Sequence, residues 1–291
     1  MNQSNLIPNF ENPKNKEINL AKKEIFLGKG YYIFKSVISK RNALIIQDFF
    51  LKRNSKTFSK IPFKKVEEGN HRLYYYPTSP YWHPPFVDYL WTKIVSVRNT
   101  LYEGETWFEQ YKLRNNLDKK STEQIIEFQR MHNWACFYWY KKNETHFKHI
   151  DEEGELGCFL ILTEKDVDYL NGGLYIYGDN SDEEGYLIDN ELQIGDLVIF
   201  DQSRFNHEVK NLIIEGQLGR FQFYVPNIPD GRLKEHYTFG ESNKVYFSRP
   251  TNFLIKKLIE VSYLFKKRDI HYSRKPVFYE DSSPPIFKDK I

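Results

Sequence analysis

The sequence predicts a mainly β protein, with a β sandwich or barrel over about residues 130–230 and supporting helices on either side. Short runs rich in aromatic and β-branched residues follow one another across this stretch, among them WACFYWY, GCFLIL, GGLYIYG, DLVIFD and GRFQFYVP. Turn signals such as Asn171-Gly172-Gly173 and Gly195-Asp196 separate the runs. Many short strands at this spacing are typical of a sandwich or a barrel.

The segments around the β-rich stretch predict one short strand and several helices. Residues 1–23, rich in Asn, Lys and Pro, predict a mobile N-terminal segment, and residues 24–291 predict a single domain. Residues 29–35 favour a strand, whereas residues 40–53, 86–113 and 121–130 favour helices from the spacing of their apolar residues. After residue 250, NFLIKKLIEVSYLFKK predicts a C-terminal helix.

Composition excludes few classes of protein but narrows the choice. A net charge of +3 over 291 residues gives no reason to expect nucleic acid or an anionic membrane as a partner. The N-terminal residues lack the basic and apolar regions of a signal peptide, and no apolar run approaches the ~20 residues of a membrane span. Cys136 and Cys158 lie in apolar runs, which favours buried reduced thiols in a cytoplasmic protein.

Two possible metal ligands flank one apolar residue in His149-Ile150-Asp151. If this stretch ends a strand, His149 and Asp151 share a face, as two ligands of one ion must, and His146 points away. We therefore predict that His146 is not a ligand. His207 follows a later strand after a short loop. Two imidazoles and one carboxylate form the facial triad of non-heme Fe(II) oxygenases, which leaves coordination positions open.

A basic residue opens the strand that follows His207. Arg220, Gln222 and Tyr224 alternate with apolar residues, so one face of this strand is polar. An arginine on the inner face of a barrel needs a buried anionic partner. A dicarboxylate ligand would supply that partner through a bidentate pair.

The order of these residues resembles the 2-oxoglutarate/Fe(II)-dependent dioxygenases, with prolyl-hydroxylase-like and phytanoyl-CoA-dioxygenase-like features. Members carry His-x-Asp, a distal His, and then Arg or Lys on the following strand. The other matching features are Tyr140 ahead of His149, the Asn171-Gly172-Gly173-Leu174 strand start, the glycine-led run from Gly195 to Phe200, and His207-Glu208-Val209. The resemblance covers about a third of the chain.

The resemblance implies a double-stranded β-helix, or jelly roll, and a set of site residues. His149, Asp151 and His207 would hold Fe(II) as the catalytic centre. Arg220 would bind the far carboxylate of the co-substrate 2-oxoglutarate, and Tyr140 or Gln222 would add a hydrogen bond. With O2 as the oxidant, the products are succinate, CO2 and a hydroxylated substrate. Asp151 favours hydroxylation, desaturation or cyclisation over halogenation, because halogenase relatives have a small non-ligating residue at this position.

The sequence says less about the substrate. Arg204, Trp134 and Tyr76 are candidate substrate contacts, and the aromatic stretch 70–85 is a candidate wall or lid of the pocket. We favour a small molecule, such as an amino acid or a biosynthetic intermediate. The alternatives are a peptidyl prolyl-type hydroxylase, a cupin-like metal protein that uses no keto acid, and a non-catalytic jelly-roll binding module.

Overall fold

The structure is a computed structural model. It describes residues 9–52, 64–65, 71–75, 85–132, 135–151, 156–178, 184–213, 218–226, 244–248 and 269–273.

Most strands belong to two antiparallel sheets. The larger sheet has seven strands in the order β1-β9-β6-β11-β4-β3-β2, and the smaller has four in the order β5-β10-β7-β8. The strands of the larger sheet are β1 (Tyr31–Phe34), β2 (Lys64–Lys65), β3 (His71–Tyr75), β4 (Ala135–Tyr140), β6 (Leu156–Ile161), β9 (Leu197–Asp201) and β11 (Arg220–Val225). Those of the smaller sheet are β5 (His146–His149), β7 (Gly173–Ile176), β8 (Tyr186–Leu187) and β10 (His207–Lys210).

The path of the chain through these sheets is that of a jelly roll. From β4 to β11 the chain passes repeatedly from the larger sheet to the smaller one and back. All neighbouring strands in both sheets pair antiparallel. In the larger sheet β11 lies between β4 and β6, and in the smaller sheet β10 lies between β5 and β7. Two antiparallel sheets between which the chain alternates in this way are typical of the jelly-roll class. The predicted fold is confirmed.

Five α-helices are described, and they pack mainly on the larger sheet. They are α1 (Asn15–Phe26), α2 (Lys40–Gln47), α3 (Pro85–Tyr102), α4 (Thr106–Arg114) and α5 (Thr122–His132), and a π-helical turn (Asp48–Lys52) continues α2. Helix α3 contacts β6 and β11. Every residue of those two strands is buried, since helices cover one face and the smaller sheet covers the other. None of the described helices is long and apolar enough to cross a membrane.

The apolar face of β11 packs against aromatic rings on its outer side. Phe221 and Phe223 both contact Phe137 of β4, with ring centroids 5.6 and 4.6 Å apart. Phe50 of the π-helical turn lies 4.2 Å from the Phe137 ring. This packing turns the alternate residues of β11, Arg220, Gln222 and Tyr224, toward the inside of the jelly roll.

Part of the segment predicted to be mobile, residues 15–23, lies in a helix. These residues belong to α1, which buries Ile18, Ala21 and Ile25 against β1, β9 and α3. The three apolar residues are spaced three and four apart, so they form one stripe along the helix. Abundant Asn and Lys on the other faces masked that stripe in the composition.

Two further strands pair outside the jelly roll. They are β12 (Lys244–Ser248) and β13 (Asp269–Ser273), which run parallel. The helix predicted between about residues 252 and 267 lies outside the described residues.

Candidate metal centre

Three predicted metal ligands come together at one end of the jelly roll. His149 is the last residue of β5, Asp151 follows it in the next loop, and His207 is the first residue of β10. Strands β5 and β10 pair antiparallel with His207 directly opposite His149. This register explains how residues so far apart in sequence become neighbours.

The three side chains present their ligand atoms to a common point. His149 Nε2 lies 3.6 Å from Asp151 Oδ1, and His207 Nε2 lies 3.6 Å from Asp151 Oδ2. One ligand atom from each residue lies within 4.8 Å of the others. Separations of this size suit donors that surround one ion at about 2 Å each.

Both imidazoles are oriented for metal binding by backbone carbonyls. His149 Nδ1 lies 2.7 Å from the Phe147 carbonyl oxygen, and His207 Nδ1 lies 3.1 Å from that of Phe205. A neutral imidazole that donates its Nδ1–H to a carbonyl carries its lone pair on Nε2. A backbone acceptor behind each ligand is the usual second contact of a metal-binding histidine.

Electrostatics keep His207 ready to bind a cation. Burial lowers its pKa to about 3, with a further lowering from the neighbouring His149. The imidazole is therefore neutral near pH 7, which is the form that binds metal. The donor set, two imidazoles and one carboxylate, fits Fe(II) in a facial triad.

The centre is partly open on one side. The side chains of His149 and Asp151 keep 18% and 24% of their surface exposed, whereas that of His207 keeps 5%. Additional ligands can therefore reach an ion from the side of His149 and Asp151, while His207 anchors it from the interior. A catalytic metal site needs such an opening, whereas a structural site is closed by protein ligands.

Gln202 braces the centre from the loop between β9 and β10. Its Nε2 lies 3.4 Å from His207 Nε2, and its Oε1 accepts a hydrogen bond of 2.9 Å from the Tyr224 hydroxyl. Its backbone oxygen accepts a hydrogen bond of 2.9 Å from the backbone N–H of Asp151. One residue thus contacts two candidate ligands. A Cβ on Gly157 would lie 2.2 Å from Gln202 Oε1, so the glycine makes room for this side chain.

His146 does not follow the strand alternation expected from the sequence. The pairing of β5 with β10 is irregular between His149 and His146, and the two imidazole centroids lie only 4.6 Å apart. An irregular register breaks the two-residue alternation of faces. His146 is nevertheless outside the cluster of converging ligand atoms found among the described residues. Its absence from the ligand set stays a prediction.

Arg220 has a buried anionic partner within the protein. Its Nε lies 2.7 Å from Asp189 Oδ2, its Nη2 lies 3.1 Å from Asp189 Oδ1, and both residues are 1% exposed. Asp189 also accepts a hydrogen bond of 2.6 Å from the Tyr169 hydroxyl. Burial is the largest single influence and disfavours the charged guanidinium, but the charge and hydrogen bond of Asp189, together with Tyr169 and Tyr140, raise the pKa of Arg220. The role of Arg220 as a 2-oxoglutarate anchor stays a prediction.

The other predicted co-substrate contacts lie beside Arg220. Gln222 accepts a hydrogen bond from Arg220 Nη1, and Tyr140 of β4 is the cross-strand neighbour of Arg220. Tyr140 is buried and stacks on Tyr138, with ring centroids 6.1 Å apart. The structure therefore groups these three residues on the interior of β4 and β11.

Of the three predicted substrate contacts, the structure describes only Arg204. Arg204 is exposed, donates a hydrogen bond of 3.3 Å to the Phe26 carbonyl oxygen and lies over the Phe205 ring. Trp134 and Tyr76 lie outside the described residues, as does most of the aromatic stretch 70–85.

Sequence reasoning missed Asp189, Tyr169 and Gln202. Asp189 belongs to a 3-10 helix (Ile188–Glu191) that follows β8, and no motif in the sequence marks it. Gln202 precedes His207 in a polar loop with no distinguishing pattern. Only one signal was available, the rule that a buried arginine needs an anionic partner.

Comparisons with known proteins find similar structures but no similar sequences. The chain matches no protein-family model and no curated protein. It is similar to a prolyl-4-hydroxylase of Pseudomonas putida, with 12% identity and a TM-score of 0.46 over 72% of this chain and 96% of that chain. It is also similar to the non-heme α-ketoglutarate-dependent carbocyclase SnoK of nogalamycin biosynthesis, with 13% identity and a TM-score of 0.42 over 78% and 93% of the two chains.

A prolyl hydroxylase of Trichoplax adhaerens, in complex with a peptide of hypoxia inducible factor, is similar at 12% identity and a TM-score of 0.41, over 75% and 91% of the two chains. Identities this low do not transfer an activity or a substrate. The function proposed below therefore rests on the residues of this chain.

Proposed function

We propose that this protein is a 2-oxoglutarate- and Fe(II)-dependent oxygenase that hydroxylates an unactivated C–H bond of a small molecule. The observation that supports it most directly is the convergence of His149, Asp151 and His207 at a partly open end of a jelly roll. Fe(II), together with 2-oxoglutarate and O2, supplies oxidation of a C–H bond coupled to release of succinate and CO2.

The protein contributes binding and orientation at this centre. Asp151 provides the only carboxylate of the triad, and its two oxygens each face one imidazole at 3.6 Å. The carbonyls of Phe147 and Phe205 fix both imidazole rings. Preorganisation of this kind keeps the ligands in place before an ion binds, so that binding does not have to order them.

Aromatic side chains in the interior of the jelly roll shield His207 from water. Phe200 packs edge-on against His207, with ring centroids 5.0 Å apart. Phe159 stacks on Phe200 at 5.4 Å and on Tyr224 at 4.7 Å. These aromatic rings surround the polar contacts that Gln202 makes with Tyr224 and His207. Within the described part of the chain, solvent can therefore reach the centre only from the side of His149 and Asp151, where substrate would approach.

Polar side chains line the inner end of the site, where the far end of a 2-oxo acid would lie. An arginine carries five N–H groups. Among the described residues, those on Nε, Nη1 and Nη2 donate to Asp189 and Gln222. Tyr169 also interacts with Arg220, and Tyr140 lies opposite it on the neighbouring strand, so polar groups surround the guanidinium.

The experiment that tests the proposal is detection of succinate. The purified protein is incubated with Fe(II), 2-oxoglutarate and O2 against a panel of amino acids, biosynthetic intermediates and prolyl peptides. We expect substrate-dependent succinate from one member of the panel, and loss of at least about a hundredfold in Asp151→Ala, because second contacts alone already change activity 10–100-fold. Turnover of Asp151→Ala at the parent rate would remove Asp151 from the site. Succinate formation only with prolyl peptides would identify a peptidyl hydroxylase instead.

A further inference from the structure

We propose that Asp189 is the residue that sets which 2-oxo acid the site accepts, by neutralising Arg220 and so removing the advantage of a second carboxylate on the co-substrate. This inference rests on the proposed function. It concerns the charge that the inner end of the site tolerates, which the metal ligands do not determine.

The Arg220–Asp189 pair has the geometry of a complete carboxylate-binding site. Two parallel N–H···O contacts of 2.7 and 3.1 Å join the guanidinium to the carboxylate, as in a bidentate pair. Tyr169 donates a third hydrogen bond to the same carboxylate. An external carboxylate that approached Arg220 would therefore compete with the Asp189 carboxylate, which already accepts hydrogen bonds from Nε and Nη2.

Asp189 is held in place by close packing on β7. A Cβ on Gly173 would lie 2.3 Å from Asp189 Oδ2 and 2.7 Å from its Cγ, and Gly173 has a φ of 110°. The residue before Asp189, Ile188, is fully buried. The glycine at the start of β7 thus allows the carboxylate to approach Arg220, and the surrounding atoms leave it little room to move away.

The pair lies on the same inner face as the contacts of the metal ligands. Arg220 hydrogen-bonds Gln222, and two residues further along the strand Tyr224 contacts Gln202, which in turn contacts His207. Side chains two residues apart on a strand point the same way, about 7 Å apart. A 2-oxo acid that binds the metal and extends into the jelly roll therefore meets the Arg220–Asp189 pair with its far end.

Charge balance decides what that far end should be. Arg220 and Asp189 together are neutral, so an uncharged end adds no net charge to the buried group. The far carboxylate of 2-oxoglutarate adds a net negative charge in a place where neither partner is exposed by more than 1%. An uncompensated charge in such surroundings is costly. The pair therefore cancels the preference for a dicarboxylate that a lone arginine would create.

The test compares two 2-oxo acids of equal chain length on the Fe(II)-loaded protein under anaerobic conditions. 2-Oxoglutarate carries a far carboxylate, whereas 2-oxopentanoate ends in a methyl group. Binding is followed by the change in the visible absorbance of the Fe(II) centre, which reports binding without turnover. We expect dissociation constants within about threefold of each other for the parent protein.

Neutral variants of Asp189 should restore a preference. We expect Asp189→Asn to bind 2-oxoglutarate about tenfold or more tightly than the parent, with little change for 2-oxopentanoate, because Arg220 then lacks its counter-charge. Asp189→Ser, which is smaller and keeps a hydroxyl for Tyr169, serves if the asparagine variant does not fold. Each protein is its own reference, since the result is a ratio of two constants.

Asp196→Asn is the matched control. Asp196 is also fully buried, but it accepts hydrogen bonds from Lys35 and from the backbone N–H groups of Ser36 and Gln193. Its replacement should leave the ratio unchanged. A parent preference of tenfold or more for 2-oxoglutarate that survives in both Asp189 variants would overturn the inference alone. If Fe(II) binds but neither acid changes the spectrum, the proposed function fails, and the inference fails with it.

Discussion

His207 combines the roles of a buried core residue and a candidate metal ligand. It is 4% exposed, its Nδ1 faces the Phe205 carbonyl, and its Nε2 faces both Asp151 and Gln202. Without a metal ion, the Gln202 amide is the group that meets the Nε2 lone pair. The Gln202 side chain is itself held in place, because its Oε1 accepts a hydrogen bond from the Tyr224 hydroxyl.

Gly157→Ala tests the importance of that arrangement. The added methyl group would lie 2.2 Å from Gln202 Oε1, so Gln202 has to move away and lose its hydrogen bond with Tyr224. We expect weaker Fe(II) binding and a loss of about 1–3 kcal/mol in the free energy of unfolding, as for overpacked cores. Metal titration and denaturant unfolding measure the two effects. Unchanged values of both would show that Gln202 has other positions available at no cost.

Asp189 is the anionic partner of Arg220, and the sequence pattern did not identify it. The rule that a buried arginine needs an anion was correct for Arg220, but it did not say where the anion comes from. Asp189 lies in an acidic stretch after β8, and only the fold brings it against Gly173 and Arg220.

Helix α1 illustrates, at the level of elements, how composition can hide an amphipathic pattern. Its buried stripe of Ile18, Ala21 and Ile25 packs on β1, β9 and α3, although the helix is rich in Lys and Asn. In contrast, the β-rich runs were recognised because most residues of β1, β4, β6 and β9 in the larger sheet are apolar or aromatic. Both faces of that sheet are covered, which favours such continuous runs.

Truncation of α1 residues distinguishes a packed helix from a loosely attached one. Ile25 is fully buried, whereas Leu20 on the same helix is 48% exposed. We expect Ile25→Ala to lower the free energy of unfolding by about 2–5 kcal/mol, as for other buried Ile to Ala changes. Leu20→Ala should change it by about 0.5 kcal/mol or less. Equal small effects of the two changes in denaturant unfolding would mean that α1 does not belong to the cooperative core.

Strand pairing explains why the convergence of the candidate ligands could be predicted from sequence while the position of His146 could not. His149 and His207 sit at the ends of predicted strands, and antiparallel pairing places them opposite each other. The local irregularity of β5 depends on side chains and backbone of the partner strand, so no alternation rule applied to β5 alone reveals it. Ring proximity between His146 and His149 is its consequence.

The molecule as a whole isolates its cysteines from solvent. Cys136 on β4 and Cys158 on β6 are both fully buried, as the sequence predicted, and no disulfide joins them. Burial raises the pKa of Cys158 to about 12. The thiolate is the reactive form, so folding should protect this residue twice, by access and by ionisation.

Thiol labelling measures this protection directly. We expect no modification of either cysteine by iodoacetamide in native buffer near pH 8, and complete modification of both in denaturant, as mass spectrometry would show. Rapid labelling of Cys158 in native buffer would mean that the region between α3 and the larger sheet opens readily.

The jelly roll as a whole places one partly exposed carboxylate and two imidazoles around a point that a single ion can occupy. Anaerobic titration with Fe(II) tests this central claim most directly. The account predicts one bound ion per chain, affinity reduced by about a hundredfold or more in His207→Ala, and little change in His146→Ala, the neighbouring histidine outside the ligand cluster. Binding that survives in His207→Ala, or that is lost equally in His146→Ala, would contradict it.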